Sequence, residues 1–132
     1  MPRLDRRELA AIYAGGVIGA LARVGLAAAA PYAAGDWPWA TFAVNMAGAV
    51  FLGFLVTRLQ ERLPPSTYSR PFLGTGLCGA LTTFSTLQLE LFEMLEGGHI
   101  GLAATYASVT ICGGFLCVHL ATAAVRRVRL MR

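Results

Sequence analysis

The sequence predicts an all-α integral membrane protein with four transmembrane helices, the third broken near its middle. Three observations carry this. Hydrophobic residues make up 56% of the 132 and charged residues only 14%, a balance that fits lipid rather than water as the solvent. Four apolar stretches each reach about 20 residues, the length that crosses about 30 Å of hydrocarbon. The third of them is crowded with glycines and hydroxyl side chains, which compete with regular helix formation. One four-helix membrane domain covering residues 1–132 is the expectation.

The first span is placed at residues 9–30. The preceding "MPRLDRREL" puts three arginines and two acids before an apolar run too long for a cleavable signal, so the run reads as a span. Inside it lies Arg23, a charge that either faces protein or water as a structural or functional group, or snorkels to the near interface. The second span is placed at residues 37–56. Thr41, Asn45 and Gly48 recur there at i, i+4 and i+7 on one helix face. A carboxamide in lipid needs partners, so Asn45 is either an interhelical hydrogen bond or part of a polar pathway. Tyr32, Trp37 and Trp39 mark one membrane interface.

The third span, residues 72–95, contains "GTGLCGALTTFSTLQLE". Gly74, Gly76 and Gly79 weaken the helix, and Thr82, Thr83, Ser85 and Thr86 can cap a new one, so an interruption is expected near residues 79–82. Such a break survives in lipid only where protein, water or ions satisfy the freed backbone. Unwound carbonyls suit a cation and a half-helix N-terminus suits an anion, which suggests an ion pathway. Past the break, Thr82, Thr86 and Glu90 share one face, and Phe84 and Leu87 another. A kinked packing helix is the plainer alternative. The fourth span, residues 100–125, repeats the spaced polar pattern with Tyr106 and Thr110, Ser108 lying off that face. His119 is expected to be packed or interfacial near the cytoplasmic end, and His99, in a loop beside two glycines, carries no signal.

Charge fixes a direction. Ten of the 11 arginines fall at the N-terminus, the second loop and the C-terminus, which four crossings place on one side. By the positive-inside rule both termini are expected in the cytoplasm. Nucleic-acid binding is the simple reading of a net charge of +4, but the arginines sit at segment ends rather than on one helix face. Cys78, Cys112 and Cys117 lie within apolar runs as small hydrophobes, with no metal or disulfide spacing. No nucleophile–base set or phosphate loop is visible, so no enzyme is expected.

Taken in order, "GGVIGALAR", "WATFAVNMAGAVFLGFL" and "GLCGALTTFST" followed by Glu90 resemble the small bacterial fluoride channels called Fluc or CrcB. That resemblance implies a passive channel exporting cytoplasmic fluoride, built as an antiparallel, dual-topology-type dimer with two pores. It implies a structural sodium ion at the dimer centre, held here by the backbone carbonyls of Gly79 and Thr82. It makes Asn45 and Phe84 pore residues, with Tyr106, Thr110 and Ser108 on the polar edge and Thr83 and Thr86 beside the break. Fluoride is a small acceptor whose water must be replaced by amide and hydroxyl donors, and the positive edge of a phenyl ring faces an anion without binding it too tightly.

Two departures stand out. The family usually reads "TTFSTF", and here Leu87 replaces the second pore phenylalanine. The one-sided arginines oppose dual insertion, which favours pairing with an oppositely oriented paralogue over an antiparallel homodimer. A non-conducting structural subunit and, on weaker grounds, a small four-helix multidrug exporter subunit are the alternatives.

Overall fold

The computed structural model describes residues 5–33, 35–62 and 68–130, all of whose regular structure is helical. Arg3 and Arg132, and the middle of the second loop, lie outside the described residues.

Helix α1, Arg6–Ala29, starts where the Asp5 side chain accepts a hydrogen bond from the Arg7 N–H at 2.9 Å, a conventional N-cap. It ends before Pro31, which disfavours helical geometry at Ala30. Helix α2, Trp39–Arg62, begins behind Pro38, whose carbonyl accepts the Phe42 N–H at 3.0 Å. Helix α3 starts with a proline at its first position and is wound as a π-helix over Pro71–Cys78, then finishes as a single α-turn, Gly79–Leu81. After two extended residues, helix α4 runs Phe84–Glu96. Gly98, at φ +78°, supplies the left-handed residue that closes α4, and His99 N–H returns to Met94 O at 2.8 Å. Helix α5, Ile100–Leu130, is longer than the sequence pattern suggested, because the arginine-rich tail continues it.

The helices meet through glycines. A Cβ at Gly15 or Gly19 of α1 would run into the main-chain oxygen of Phe72 or Leu77 in α3, and one at Gly76 into that of Ile12. Backbone therefore lies directly on backbone, as small residues four apart allow in lipid. Helices α2 and α5 approach similarly at Gly53, where a Cβ would stand 2.7 Å from Val118 O.

The compact core is small. Leu87, Met94, Ala103 and Tyr106 form it, covered by Tyr32, Trp37, Phe42, Leu91 and Leu102. Most large apolar side chains point outward instead, among them Tyr13, Leu21, Ile111 and Phe115. That distribution suits a hydrocarbon solvent. Among the described residues three helical stretches, Arg6–Ala29, Trp39–Arg58 and Ile100–Arg127, are long and apolar enough to cross a membrane, which makes this a multi-pass membrane protein. The third apolar stretch of the sequence is divided between α3 and α4, neither of them of spanning length alone.

Candidate functional site

Between α3 and α4 the main chain leaves the helix at Thr82 (φ −74°, ψ 150°) and Thr83 (φ −145°, ψ 123°). Two β-branched residues tolerate this extended geometry well. Thr83 caps α4: its Oγ1 accepts from the Thr86 N–H at 3.1 Å and is 2.9 Å from the Thr86 hydroxyl. Thr82 instead turns back, with its N–H and its Oγ1 both donating to Cys78 O, at 3.1 and 3.0 Å.

Two neighbouring helices complete the break. The Asn45 carboxamide pairs with both main-chain polar groups of Thr83, Nδ2 donating to Thr83 O at 3.1 Å and Oδ1 accepting from Thr83 N–H at 2.9 Å. From α1, Arg23 Nε donates to Ala80 O at 3.1 Å, so this arginine holds protein backbone within the span. One turn along α2 from Asn45, Gly48 leaves room for the Thr82 methyl and accepts the Cys78 thiol at 3.4 Å. Beside the break lies an open groove of about 530 Å³, lined among others by Asn45, Gly48, Gly79, Thr82, Ile111 and Phe115.

A second polar cluster lies nearer the other end of α4. Glu90, only 5% exposed, accepts hydrogen bonds from the Thr41 hydroxyl and, at 2.8 Å, from the Tyr106 hydroxyl. Both carboxylate oxygens are thus satisfied, as a buried acid requires. The Trp37 ring meets Tyr106 edge-on at 5.1 Å. Thr110 Oγ1 and Trp37 Nε1 are buried without a hydrogen-bond partner among the described residues. From the loop after α1, Tyr32 donates to Glu93 of α4 at 2.7 Å. Burial first, and that carboxylate second, push the Tyr32 hydroxyl well above the ordinary phenol range.

The residues singled out in the sequence therefore divide. Asn45, Thr83 and Thr86 come together at the break, with Gly79 and Thr82 on the groove beside it. Tyr106 departs from the expected polar edge, since it is fully buried and its hydroxyl proton is committed to Glu90. Phe84 and Leu87 do not share an environment: Phe84 is 71% exposed, whereas Leu87 is 6% exposed in the core beneath α5. A three-residue step leaves two side chains only about 60° apart round a helix, and the edge of the side that α5 covers falls within that interval. Ser108 is exposed and bonded to its own helix at Ala104 O, 2.8 Å. Thr41, Cys78 and Trp37 were not read as site residues. The position of Thr41 one turn before Asn45 was the available signal. Among the described residues no cluster of three or more His, Cys, Asp or Glu side chains is placed to hold a metal, so a cation here would rest on main-chain oxygens.

The family model described as "CrcB-like protein, Camphor Resistance (CrcB)" matches residues 10–122. A Mycobacterium bovis protein named "Fluoride-specific ion channel FluC 1" is 60% identical over 132 residues, covering 100% of both chains. A Nocardia farcinica protein named "Fluoride-specific ion channel FluC 2" is 40% identical over 126 residues, 96% of this chain and 90% of its own. A Streptomyces avermitilis protein named "Fluoride-specific ion channel FluC 3" is 38% identical over 133 residues, 97% of this chain and 65% of its own. With a match that spans the glycine seam, the Asn45 clamp and the break it holds, this chain belongs to the CrcB family.

Proposed function

We propose that the chain is one subunit of a passive, fluoride-selective channel that lets fluoride leave the cytoplasm and so confers fluoride resistance. It is a channel component, not an enzyme. The observation that carries the reading is the opened main chain at Thr82–Thr83, held by Asn45 and bordering an open groove. Helices α3 and α4 act as the two halves of an interrupted third crossing of four. At 1.5 Å per residue the two together exceed the roughly 30 Å of hydrocarbon that neither spans alone. Asn45, Phe84, Thr83, Thr86 and Thr110 offer amide, ring-edge and hydroxyl contacts to an anion, with Tyr106 and Ser108 flanking them.

In this reading Gly79 and Thr82 give two carbonyl oxygens to a structural sodium ion, and an inverted second subunit gives the rest. The one-sided arginines support insertion in the inner membrane with both termini cytoplasmic, and hence an oppositely oriented paralogue as that second subunit. The numbering of the relatives as FluC 1, FluC 2 and FluC 3 is compatible with paired, non-identical subunits. Leu87, withdrawn into the core, favours one of the two pores being weak, and a chain serving mainly as a structural partner is the second reading.

Liposomes containing the complete assembly test the function. Fluoride efflux should collapse in Asn45→Ala and fall in Phe84→Ala, while unchanged flux in both would assign conduction to the partner. Tags on both termini test the pairing: equal inside and outside populations in cells would exclude an obligate heterodimer.

A further inference from the structure

We infer that Asn45 and Thr83 are positioning residues for the cation site: their side chains take the two amide protons that an unbroken helix would deliver to the carbonyls of Gly79 and Thr82. This rests on the sodium reading above, to which it adds a cause.

In an α-helix each carbonyl accepts the N–H four residues ahead. For Gly79 O that donor is Thr83 N–H, which goes instead to Asn45 Oδ1 at 2.9 Å. For Thr82 O it is Thr86 N–H, which goes to Thr83 Oγ1 at 3.1 Å. The carbonyls between and before them fare differently. Cys78 O receives two donors from Thr82, and Ala80 O receives Arg23. Of Cys78, Gly79 and Thr82, the residues of this turn that line the groove, Gly79 and Thr82 are the two whose donors are diverted to side chains.

A main-chain oxygen without its donor is costly in lipid and must find a substitute. A cation is such a substitute, and with no acidic cluster nearby among the described residues the carbonyl dipoles are its ligands. Asn45 makes the diversion firm because it is bonded at both ends: Nδ2 grips Thr83 O while Oδ1 holds Thr83 N–H, which fixes the two peptide groups flanking the Thr83 Cα against α2. Gly48, one turn on, admits the Thr82 methyl that this placement brings against α2. The half-site is therefore built within one protomer before a cation or a second subunit arrives. Asn45 then links two properties otherwise separate, since one side chain borders the pore and sets the cation's ligands.

The test is sodium-dependent stability of the full-length assembly, measured as the thermal unfolding midpoint over a titration of sodium chloride against N-methylglucamine chloride. Wild type should be stabilised by sodium. Asn45→Ala, which lets Thr83 N–H return to Gly79 O, and Thr83→Val, which frees Thr86 N–H, should each raise the half-saturating sodium concentration roughly 10-fold or more, the usual effect of losing a group that orients metal ligands. Thr105→Ala, whose hydroxyl only bonds its own helix at Gly101 O, should not. Wild-type half-saturation in Asn45→Ala would overturn the inference. Should wild type ignore sodium, the cation reading fails, and isotope-edited infrared spectroscopy of a ¹³C carbonyl at Gly79 then decides the positioning claim alone. A free-carbonyl band that moves to the hydrogen-bonded range in Asn45→Ala supports it, and an unmoved band refutes it.

Discussion

Substituting glycines of α1 by alanine separates the seam from the open faces of that helix with the smallest possible perturbation, one methyl group. At Gly19 the new Cβ would run into Leu77 O and stand 3.0 Å from Leu81 N, and at Gly15 it would run into Phe72 O with Leu77 N at 2.9 Å. These are main-chain atoms of a packed helix, which cannot rotate aside. The cost belongs at the upper part of the about 1–3 kcal/mol usual for overpacking. At Gly16 and Gly25 a Cβ meets nothing within 4 Å, so no such cost arises. The helical gain of alanine, about 0.5–1 kcal/mol in water, largely cancels when the unfolded reference keeps its helices in detergent or lipid. Gly15→Ala and Gly19→Ala should therefore fall about 2–3 kcal/mol below Gly16→Ala and Gly25→Ala, roughly 100-fold in the folded ratio. Reversible unfolding by sodium dodecyl sulfate in mixed micelles, followed through Trp37 and Trp39 fluorescence, measures the difference. If Gly19→Ala and Gly16→Ala unfold at the same detergent fraction, the close α1–α3 contact is not what holds these helices.

Glu90→Gln replaces one accepting oxygen by an NH₂ group facing a hydroxyl and should cost about 1.5–3 kcal/mol, and a double-mutant cycle with Tyr106→Phe should show coupling of about 1 kcal/mol or more. Leu87→Phe enlarges a side chain in the core beside Met94 and Tyr106, so it should lower stability by about 1–3 kcal/mol in the same micelle assay rather than simply add a ring to a pore. The Arg7 N–H, aided by Tyr68, holds the Asp5 carboxyl below its usual 3.8, so its cap is fully effective above that value and is lost as pH falls through the lower folded-state value. Amide exchange at Arg7 should accordingly accelerate, relative to the intrinsic rate, only below about pH 4, and Asp5→Ala should remove that pH dependence.

What could be read beforehand was what depends on residues near each other in sequence. Hydropathy located the three spanning helices to within a few residues at most ends, and the Gly–Thr–Ser run drew attention to the segment where helical geometry stops at Leu81 and resumes at Phe84. Spacing put Thr41, Asn45 and Gly48 on one face but could not name their partners, because Glu90 and Thr83 are 49 and 38 residues away. The π-winding over Pro71–Cys78 carried no readable signal, since a shift of hydrogen-bond register leaves composition and apolar pattern unchanged. Phe84 and Leu87 looked equivalent because helical periodicity gives a direction but not which neighbour covers it. Tyr106 looked like an available donor for a similar reason: its proton's destination, Glu90, is a property of the packed helices.

The division of the third apolar stretch into α3 and α4 also bears on how the chain enters the bilayer during synthesis. Insertion machinery recognises a segment by the summed cost of passing its residues into hydrocarbon, and a short π-wound piece followed by a half-length helix with a buried acid scores poorly by itself. Helices α1 and α2 emerge first and already carry Arg23, Asn45 and the glycines that receive this segment. Ordered biogenesis is the expected consequence: α1 and α2 leave the ribosome before the third region, and α1 offers the glycine surface on which α3 comes to rest.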